Sequence, residues 1–183
     1  MDLYIDTHLD DIIIILFRDK KIYKEKIISG EKQNSKLIMP TIKSVLENEK
    51  PTSIIVCNGP GSFTGVRLGV TIAKTLAYTL EIPIRTISIL EIMALCLEDN
   101  LDKIVAFNDK NGYYVGIFDN NLKVVGKYEY LSNSEFEAYK KQYDVHTEVS
   151  MDYIKIYNYV MNKPIQNAHN VNPVYIKKLD VEK

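Results

Sequence analysis

The sequence contains little arginine, histidine or cysteine, and these shortages exclude several classes of function. Only three of its 23 basic residues are arginines, and with a net charge of −1 the chain has no cationic excess to neutralise a polyphosphate backbone. Contact with nucleic acid therefore needs a partner or a local patch. The apolar runs are short: "IIIILF", Ile12 to Phe17, is far below the roughly twenty residues of a membrane span and predicts a buried strand instead.

The side chains that bind metals or undergo redox chemistry are isolated from one another along the chain. Cys57 and Cys96 lack the Cys-x-x-Cys spacing of redox and zinc motifs, so we expect two buried structural thiols. We expect His8 in a turn, and His146 and His169 on the surface. The spacing predicts no metal site. The amino terminus, "MDLYIDTHLDD", shows no basic leader followed by an apolar core, and we expect a cytoplasmic protein.

The first hundred residues predict the order βββαβαβα. Three strand-like runs joined by short polar links indicate antiparallel hairpins. Apolar residues at helical spacing follow, with Ser35 expected to cap a helix that reaches Glu47. "TSIIVCN" predicts a buried strand, residues Gly65 to Leu80 a helix and "IPIRTI" a short strand. The capping box "SILE" then opens a third helix.

The remaining residues repeat this order in shortened form. "KIVAFND", "YYVGIFD" and "LKVVGKYEY" predict three strands, and a second capping box, Ser132 to Glu135, opens a helix. "YDVHTEV" and "MDYIKIYNYVMN" predict a further strand and helix. A three-stranded antiparallel start followed by αβα crossovers is typical of the ribonuclease H-like, or actin-like, α/β fold. We therefore predict two such lobes, residues 1–101 and a shortened lobe of residues 102–183.

The loop "NGPGSFTG" joins a strand to a helix, which is the setting of many anion sites. A P-loop is excluded because Val66 and Arg67 follow Gly65, where a P-loop needs Lys and then Ser or Thr. The glycine spacing does not fit a dinucleotide-binding fingerprint either. Two alternatives remain: a tight turn capped by Ser62 or Thr64, and a backbone anion site.

The helix after this loop carries a ridge of small residues at every fourth position, Gly65, Gly69, Ala73 and Ala77. An interior glycine costs a helix roughly 1 kcal/mol relative to alanine, so we expect another helix to pack unusually close to this glycine-alanine ridge. Arg67 lies in the first turn, where the helix dipole disfavours a cation. We expect an anion beside it, either a carboxylate of this chain or a carboxylate or phosphate of a partner.

From "GPGSFTGVRLGVTIAKTLA" followed by "IPIRTISILE", the chain resembles the bacterial TsaB, or YeaZ, family. "IDT", "NSKLIMPTIKSVL" and "NPVYIKK" extend the resemblance over most of the chain. The resemblance implies a duplicated actin-like fold and a non-catalytic subunit that docks on the related catalytic subunit TsaD. With the ATPase TsaE, that complex adds threonylcarbamoyl to N6 of the adenosine beside the anticodon in tRNAs that read ANN codons.

The resemblance also implies a partner surface. In the family, the first two helices pack against their counterparts on TsaD, and they can also self-associate into a homodimer. The interface residues that this implies here are Ile38, Ile42, Val45, Gly65, Val66, Arg67, Gly69, Val70, Ala73 and Ala77. This subunit is expected to need no cofactor of its own. The complex uses ATP, tRNA is reached only through the complex, and no membrane contact is implied.

The chain departs from the family at two motifs and in the length of its second lobe. Asn34-Ser35 stands where the family has His-Ser before the first helix. Asn108, Asp109 and Lys110 stand where the family has "DAR" after the first strand of the second lobe. These changes leave the two docking helices intact and weaken the inference of contacts made by the second lobe.

A catalytic alternative depends on Asp6 and Thr7, at the end of the first strand, where actin-like kinases place a phosphate loop. An aspartate there can hold a magnesium-bound water, and Thr7 can donate to a phosphate. The matching loop of the second lobe, "DKNGYY", supplies one glycine, Gly112, before two bulky tyrosines. We therefore interpret Asp6 and Thr7 as the remnant of a nucleotide site and expect Asp6 to close the hairpin turn. We assign no catalytic residue; an ATP-dependent phosphotransferase and a self-contained regulatory homodimer are the alternatives.

Overall fold

The computed structural model describes residues 1–9, 11–30, 34–98 and 102–176, with the backbone alone at 34 and 35. Its first half follows the predicted order. The elements are β1 (Asp2–Asp6), β2 (Ile12–Arg18), β3 (Lys21–Ile28), α1 (Asn34–Leu46), β4 (Ser53–Cys57), α2 (Phe63–Thr79), β5 (Ile84–Ile87) and α3 (Ile89–Cys96). Because α1 begins at Asn34, Ser35 lies inside the helix and the predicted N-cap there is wrong.

The five strands form one sheet in the order β3-β2-β1-β4-β5. β1, β2 and β3 pair antiparallel, as their short connections predict. β4 pairs parallel with β1, and β5 parallel with β4, because α1 and α2 provide the crossovers. This topology confirms the ribonuclease H-like α/β fold and places the carboxyl ends of β1 and β4 side by side.

Helices cover both faces of this sheet. α1 packs on β2 and β3, while α2 packs on β1, β4 and β5 of the same face. The apolar residues of these helices and of that sheet face form one buried cluster. The opposite face buries Tyr4, Ile15 and Ile55 beneath α3 and residues 153–161. Alternation along each strand decides which residues face which helix pair.

The second half forms a smaller sheet in the order β6-β7-β8, antiparallel throughout. Its elements are β6 (Lys103–Asp109), β7 (Gly112–Phe118), β8 (Glu129–Ser132), α4 (Asn133–Lys140), α5 (Tyr153–Met161) and a 3-10 turn (Ala168–Asn170). α3 packs on β6 and β7 as well as joining the core of the first sheet. The lobe boundary predicted at residue 101 stays a prediction, since residues 99–101 lie outside the described part.

Two strands predicted for the second half are shorter than expected. In "LKVVGKYEY" the regular strand begins only at Glu129, and Val124 forms a single bridge with Phe118. "YDVHTEV" forms no regular strand and pairs through one parallel bridge between His146 and Val105. That bridge lies where the parallel β4 lies beside β1 in the first half. The predicted helix through "MDYIKIYNYVMN" is confirmed as α5, and residues 177–183 of the predicted second lobe lie outside the described residues.

The two halves share one turn chemistry, which supports the duplication. Asp6 ends β1 and accepts a hydrogen bond from the amide of His8, two residues on. Asp109 ends β6 and accepts from the amide of Asn111, also two residues on. Each carboxylate accepts a second bond from a tyrosine hydroxyl, that of Tyr4 or of Tyr114. An aspartate at the end of the first strand therefore closes the first hairpin of each half.

No helix among the described residues combines the length and the apolar character that crossing a membrane requires.

Both predicted capping boxes are present, and one of them also joins the two halves. Ser88 and Glu91 cap α3, as Ser132 and Glu135 cap α4. The Glu91 carboxylate in addition accepts two bonds from Lys163 Nζ, at 2.7 and 2.8 Å, and one from the hydroxyl of Tyr159, at 2.9 Å. Its side chain is only 14% exposed. Glu91 therefore anchors the end of α5 to the start of α3.

We expect Glu91→Gln to lower the free energy of unfolding by about 1–3 kcal/mol, since a partly buried charge-assisted network loses its anion. The matched control is Glu135→Gln, because Glu135 has the same capping geometry on the surface of α4. Because Glu135 is fully exposed, we expect that control to leave the stability almost unchanged. Urea denaturation of both variants measures the difference, and equal losses would contradict the anchoring role of Glu91.

Candidate functional site

The glycine-rich loop is a turn that starts α2. Gly59 has a φ of 96°, a backbone conformation that favours glycine, and the chain reverses there after β4. The Ser62 hydroxyl accepts a hydrogen bond from the amide of Gly65 and is the N-cap of α2. Of the two sequence alternatives, the structure therefore shows the capped turn, with Ser62 rather than Thr64 as the cap.

The glycine-alanine ridge packs inward on the end of β1. A Cβ added to Gly65 would overlap with the carbonyl oxygen of Thr7, and one added to Gly69 would overlap with Thr7 Oγ1. The same hydroxyl donates to the carbonyl oxygen of Gly65, at 2.7 Å. Ala73 and Ala77 continue the contact into the core. The close approach predicted for the ridge is present, but its partner is Thr7, the residue that directly follows β1 of the same chain, and not another helix.

This packing buries nine of the ten residues to which the resemblance assigned the partner surface. They are Ile38, Ile42, Val45, Gly65, Val66, Gly69, Val70, Ala73 and Ala77. Because α1 and α2 point these side chains at the sheet, the expectation that they themselves touch a partner needs correction. The docking role of the two helices as elements stays a prediction.

The outward sides of α1 and α2 carry apolar residues that are only partly buried. On α2, Leu68, Ile72 and Leu76 follow one another at every fourth position. On α1, Met39 and Leu46 are two turns apart. These five residues, named here the outer strip, rest on the core and retain exposed surface. Two neighbouring helices with partly exposed apolar side chains form a surface on which a second pair of helices can pack.

Arg67, the tenth of those residues, is exposed at the start of α2. Its guanidinium lies over the ring of Phe63, 3.6 Å from the centroid, and its Nε donates to the hydroxyl of Tyr175 at 2.7 Å. Among the described residues Arg67 forms no salt bridge. The carboxylate of this chain that the sequence suggested as a partner is therefore not found in that part of the chain, while a carboxylate or phosphate of a partner stays a prediction.

A cleft of about 830 Å³ lies beside Arg67, between the start of α2 and the β6–β7 turn. Lys110 adds a second cation, and Ser62 and Thr64 add hydroxyl groups. The apolar walls are formed mainly by Phe63, Phe107, Tyr114, Tyr175 and Ile176. The lining also includes the carboxylate of Asp109, which offsets one of the two cations. The remaining positive charge beside aromatic walls suits an anionic group that carries an apolar or planar part.

Asp6 and Thr7, the residues interpreted as the remnant of a nucleotide site, are both buried and hydrogen bonded within the chain. Asp6 is 3% exposed and accepts from the Tyr4 hydroxyl at 3.0 Å, the His8 amide at 3.0 Å and His8 Nδ1 at 2.6 Å. Thr7 donates its hydroxyl proton to Gly65. These contacts give Asp6 the turn-closing role expected from the sequence and leave Thr7 no free proton for a phosphate.

The electrostatics of Asp6 depend on opposing effects. Burial opposes ionisation, but the charge of His8 and the hydrogen bonds from His8 and Tyr4 outweigh it, so the pKa of Asp6 lies below its usual value. Burial, reinforced by the Asp6 carboxylate, raises the pKa of the neighbouring Cys57 thiol well above its usual value. With no metal present, Cys57 is therefore protonated at neutral pH and is not an activated nucleophile.

Cys57 is a residue of this site that sequence reasoning missed. It ends β4, and Ile5 of β1 pairs with Val56 of β4, so Asp6 and Cys57 follow adjacent positions on two parallel strands. One ligand atom each from Asp6, His8 and Cys57 lies within 4.8 Å of the other two. The sequence separates Cys57 from His8 by 49 positions, and only the parallel pairing of β1 and β4 brings them together. Cys96, expected to be buried, is partly exposed.

A second cavity, of about 350 Å³, opens beside these residues. Asp6, His8 and Tyr4 form one wall, and α3 and residues 147–153 form the others. A buried carboxylate and an imidazole therefore face a space large enough for several water molecules or a small ligand.

Comparisons with known proteins find one family model, several curated proteins and solved structures that are similar to this chain. A model of the family described as "TsaD: tRNA N6-adenosine threonylcarbamoyltransferase" matches residues 21–108. A protein of Bacillus subtilis (strain 168), "tRNA threonylcarbamoyladenosine biosynthesis protein TsaB", is 42% identical over 97 residues, which cover 50% of this chain and 42% of that protein. A protein of the same description from Buchnera aphidicola subsp. Schizaphis graminum (strain Sg) is 38% identical over 97 residues, covering 50% of this chain and 46% of that protein.

The matched stretches therefore span less than half the length of these curated relatives. In three dimensions the agreement extends further. The solved structure "YeaZ from Pseudomonas aeruginosa" superposes with a TM-score of 0.73 over 96% of this chain and 99% of that chain, at 16% identity. The sequence similarity confirms the resemblance predicted from the glycine-rich stretch, and the structural similarity confirms the fold.

Proposed function

We propose that this chain, which is similar in sequence to TsaB proteins and in fold to YeaZ, is a subunit of the machinery that makes threonylcarbamoyladenosine in tRNA. The observation that carries the proposal is 42% identity to a protein named for that biosynthesis, over half of this chain. The product is the threonylcarbamoyl group on N6 of the adenosine beside the anticodon in tRNAs that read ANN codons. The match to the TsaD family model supports a relationship to the transferase itself.

Within this machinery the chain acts as a non-catalytic subunit. Ser62 is committed to capping α2, and Thr7 donates its only hydroxyl proton to Gly65. Asp6 is held by three hydrogen bonds inside the chain. The residues that a phosphotransferase would need are thus occupied in holding the fold, and no observation favours that alternative. The role that remains is to bind and stabilise a catalytic partner.

The partner is a TsaD-type subunit that covers the outer strip of α1 and α2. Five partly exposed apolar side chains on two adjacent helices offer a surface for a second helix pair. A second copy of this chain can use the same surface, so homodimer and heterodimer compete for it. A TsaE-type ATPase joins this complex, which uses ATP and brings in tRNA, and this subunit needs no cofactor for that role. The complex works in the cytoplasm.

We expect Ile72→Glu to weaken binding to the cognate TsaD-type subunit by at least about 30-fold, because a charge then replaces a central apolar contact. Titration calorimetry of the two purified proteins measures the affinity. Ala138→Glu is the control, since it also places a carboxylate at an exposed position of a helix, on α4. Ala73 is fully buried, so a charge there would test folding rather than docking.

Wild-type affinity in Ile72→Glu would exclude the outer strip as the docking surface. A complete lack of binding by the wild-type protein would contradict the proposed partnership itself. Circular dichroism melts of the two variants verify that each is folded before the affinities are compared.

A further inference from the structure

The turn after β1 brings together three side chains with the chemistry of a transition-metal site. Asp6 supplies a carboxylate, His8 an imidazole and Cys57 a thiol, from the adjacent carboxyl ends of β1 and β4. All three are buried: Asp6 is 3%, His8 7% and Cys57 0% exposed. Nothing in the proposed docking role requires this combination, since the turn itself needs only the bond from Asp6 to the His8 amide.

We infer that Asp6, His8 and Cys57 bind one zinc ion. Their ligand atoms lie within 4.8 Å of one another. On a tetrahedral zinc ion with ordinary bond lengths, two ligand atoms are about 3.5 Å apart. The ligand atoms must therefore shift by distances on the order of 1 Å. The Cys57 thiol moves toward the metal, and the 2.6 Å contact between His8 Nδ1 and Asp6 lengthens as the metal replaces the shared proton.

The surroundings of the three residues suit a metal site. The Tyr4 hydroxyl and the His8 amide donate to the two oxygens of Asp6 and restrain its carboxylate, as outer partners of metal ligands do. The 350 Å³ cavity reaches Asp6 and His8 from one side. It supplies an entry path and leaves room for a water molecule as the fourth ligand. Three protein ligands and one open position form a common zinc arrangement.

The donor set selects the metal. A thiolate together with an imidazole suits zinc and cobalt, whereas magnesium and calcium prefer sites made only of oxygen. Binding is balanced by the movement of two protons: the Cys57 thiol proton leaves to solvent, and the proton shared by His8 Nδ1 and Asp6 leaves to solvent or moves to Nε2 of His8. No electron transfer is involved.

The test is a titration of the full-length protein, freed of metal with a chelator, with Zn²⁺ in competition with a chromophoric zinc indicator. We expect one equivalent to bind with a dissociation constant in the micromolar range or tighter. Cys57→Ser should weaken binding at least tenfold, since loss of a group that merely orients a ligand already costs about 10–100-fold. Cys96→Ser is the matched control, because it removes the other thiol, and it should bind zinc as the wild type does.

The absorption spectrum of the Co²⁺ complex is a second readout, and it can be measured on the wild-type protein without any destabilising substitution. The wild-type cobalt complex should show thiolate-to-metal charge-transfer absorption, and the Cys96→Ser complex should retain it. His8→Asn keeps the thiol and should weaken zinc binding as Cys57→Ser does. Circular dichroism of each variant verifies folding.

Three results would overturn the inference: no zinc bound by the wild type at micromolar concentrations, equal weakening by Cys96→Ser and Cys57→Ser, or a cobalt complex without the thiolate band. These readouts measure metal binding alone, so their outcome is independent of the proposed role in tRNA modification.

Discussion

Replacing Asp6 with alanine is expected to lower the free energy of unfolding by about 3–5 kcal/mol, the range for removing one partner of a buried charged pair. The carboxylate accepts from the Tyr4 hydroxyl, the His8 amide and the His8 ring. Alanine leaves these donors without their charged acceptor, and a neutral water molecule from the adjacent cavity replaces the carboxylate only in part. Urea denaturation in the presence of a metal chelator measures the loss without any contribution from bound metal.

The matched control is Asp109→Ala, at the corresponding turn of the second half. Asp109 accepts from the Asn111 amide and, at 3.3 Å, from the hydroxyl of Tyr114, but it is only partly buried. We expect a loss of about 1 kcal/mol there, typical of a solvent-accessible turn bond. If the two alanine variants lost equal stability, burial would not be what makes Asp6 important.

Asp6→Asn distinguishes structure from nucleotide chemistry. The amide keeps the volume and one acceptor oxygen of the aspartate, so we expect it to recover part of the stability lost in Asp6→Ala. Magnesium-dependent ATP binding by the wild-type protein that disappeared in Asp6→Asn would instead favour the phosphotransferase alternative.

Replacing Gly65 with alanine is expected to destabilise the fold by about 1–3 kcal/mol, the usual cost of forcing a methyl group into a packed core. The sign is informative, because the same substitution inside an unconstrained helix stabilises it by roughly 1 kcal/mol. Here the added Cβ would overlap with the backbone carbonyl of Thr7, which cannot rotate away as a side chain can. Thermal and urea denaturation of the variant test this expectation.

Thr71→Ala is the control for Gly65→Ala. Thr71 is exposed on the same helix, so alanine there should gain a few tenths of a kcal/mol from helix propensity. Stabilisation by both substitutions would mean that α2 does not approach β1 as closely as the structure shows. The glycine-alanine ridge would then again be a candidate surface for docking of a partner.

Local patterns in the sequence predicted most of the secondary structure. Apart from β3, which is rich in lysine and mostly exposed, the strands of the first half are apolar and bounded by polar links. The boxes at Ser88 and Ser132 carry their own hydrogen-bonding partners within four residues. Such features depend on neighbours along the chain, and the structure confirms them. The prediction of a strand at 143–149 was wrong, and that of a strand at 122–130 holds only from Glu129; both concern segments that are mostly exposed. Without a buried face, apolar alternation there is a weak guide to pairing.

The sequence by itself determined that α2 has one thin side, that Asp6 closes the first hairpin, and that the chain resembles TsaB proteins. Only the tertiary structure decided which way the thin side faces. A ridge of glycine and alanine permits close packing against any neighbour, and here β1 takes that place, so a partner is left with the outer strip. The meeting of Asp6 and His8 with Cys57 is likewise a product of parallel strand pairing. Residues far apart in sequence become neighbours only when the crossover through α1 places β4 beside β1.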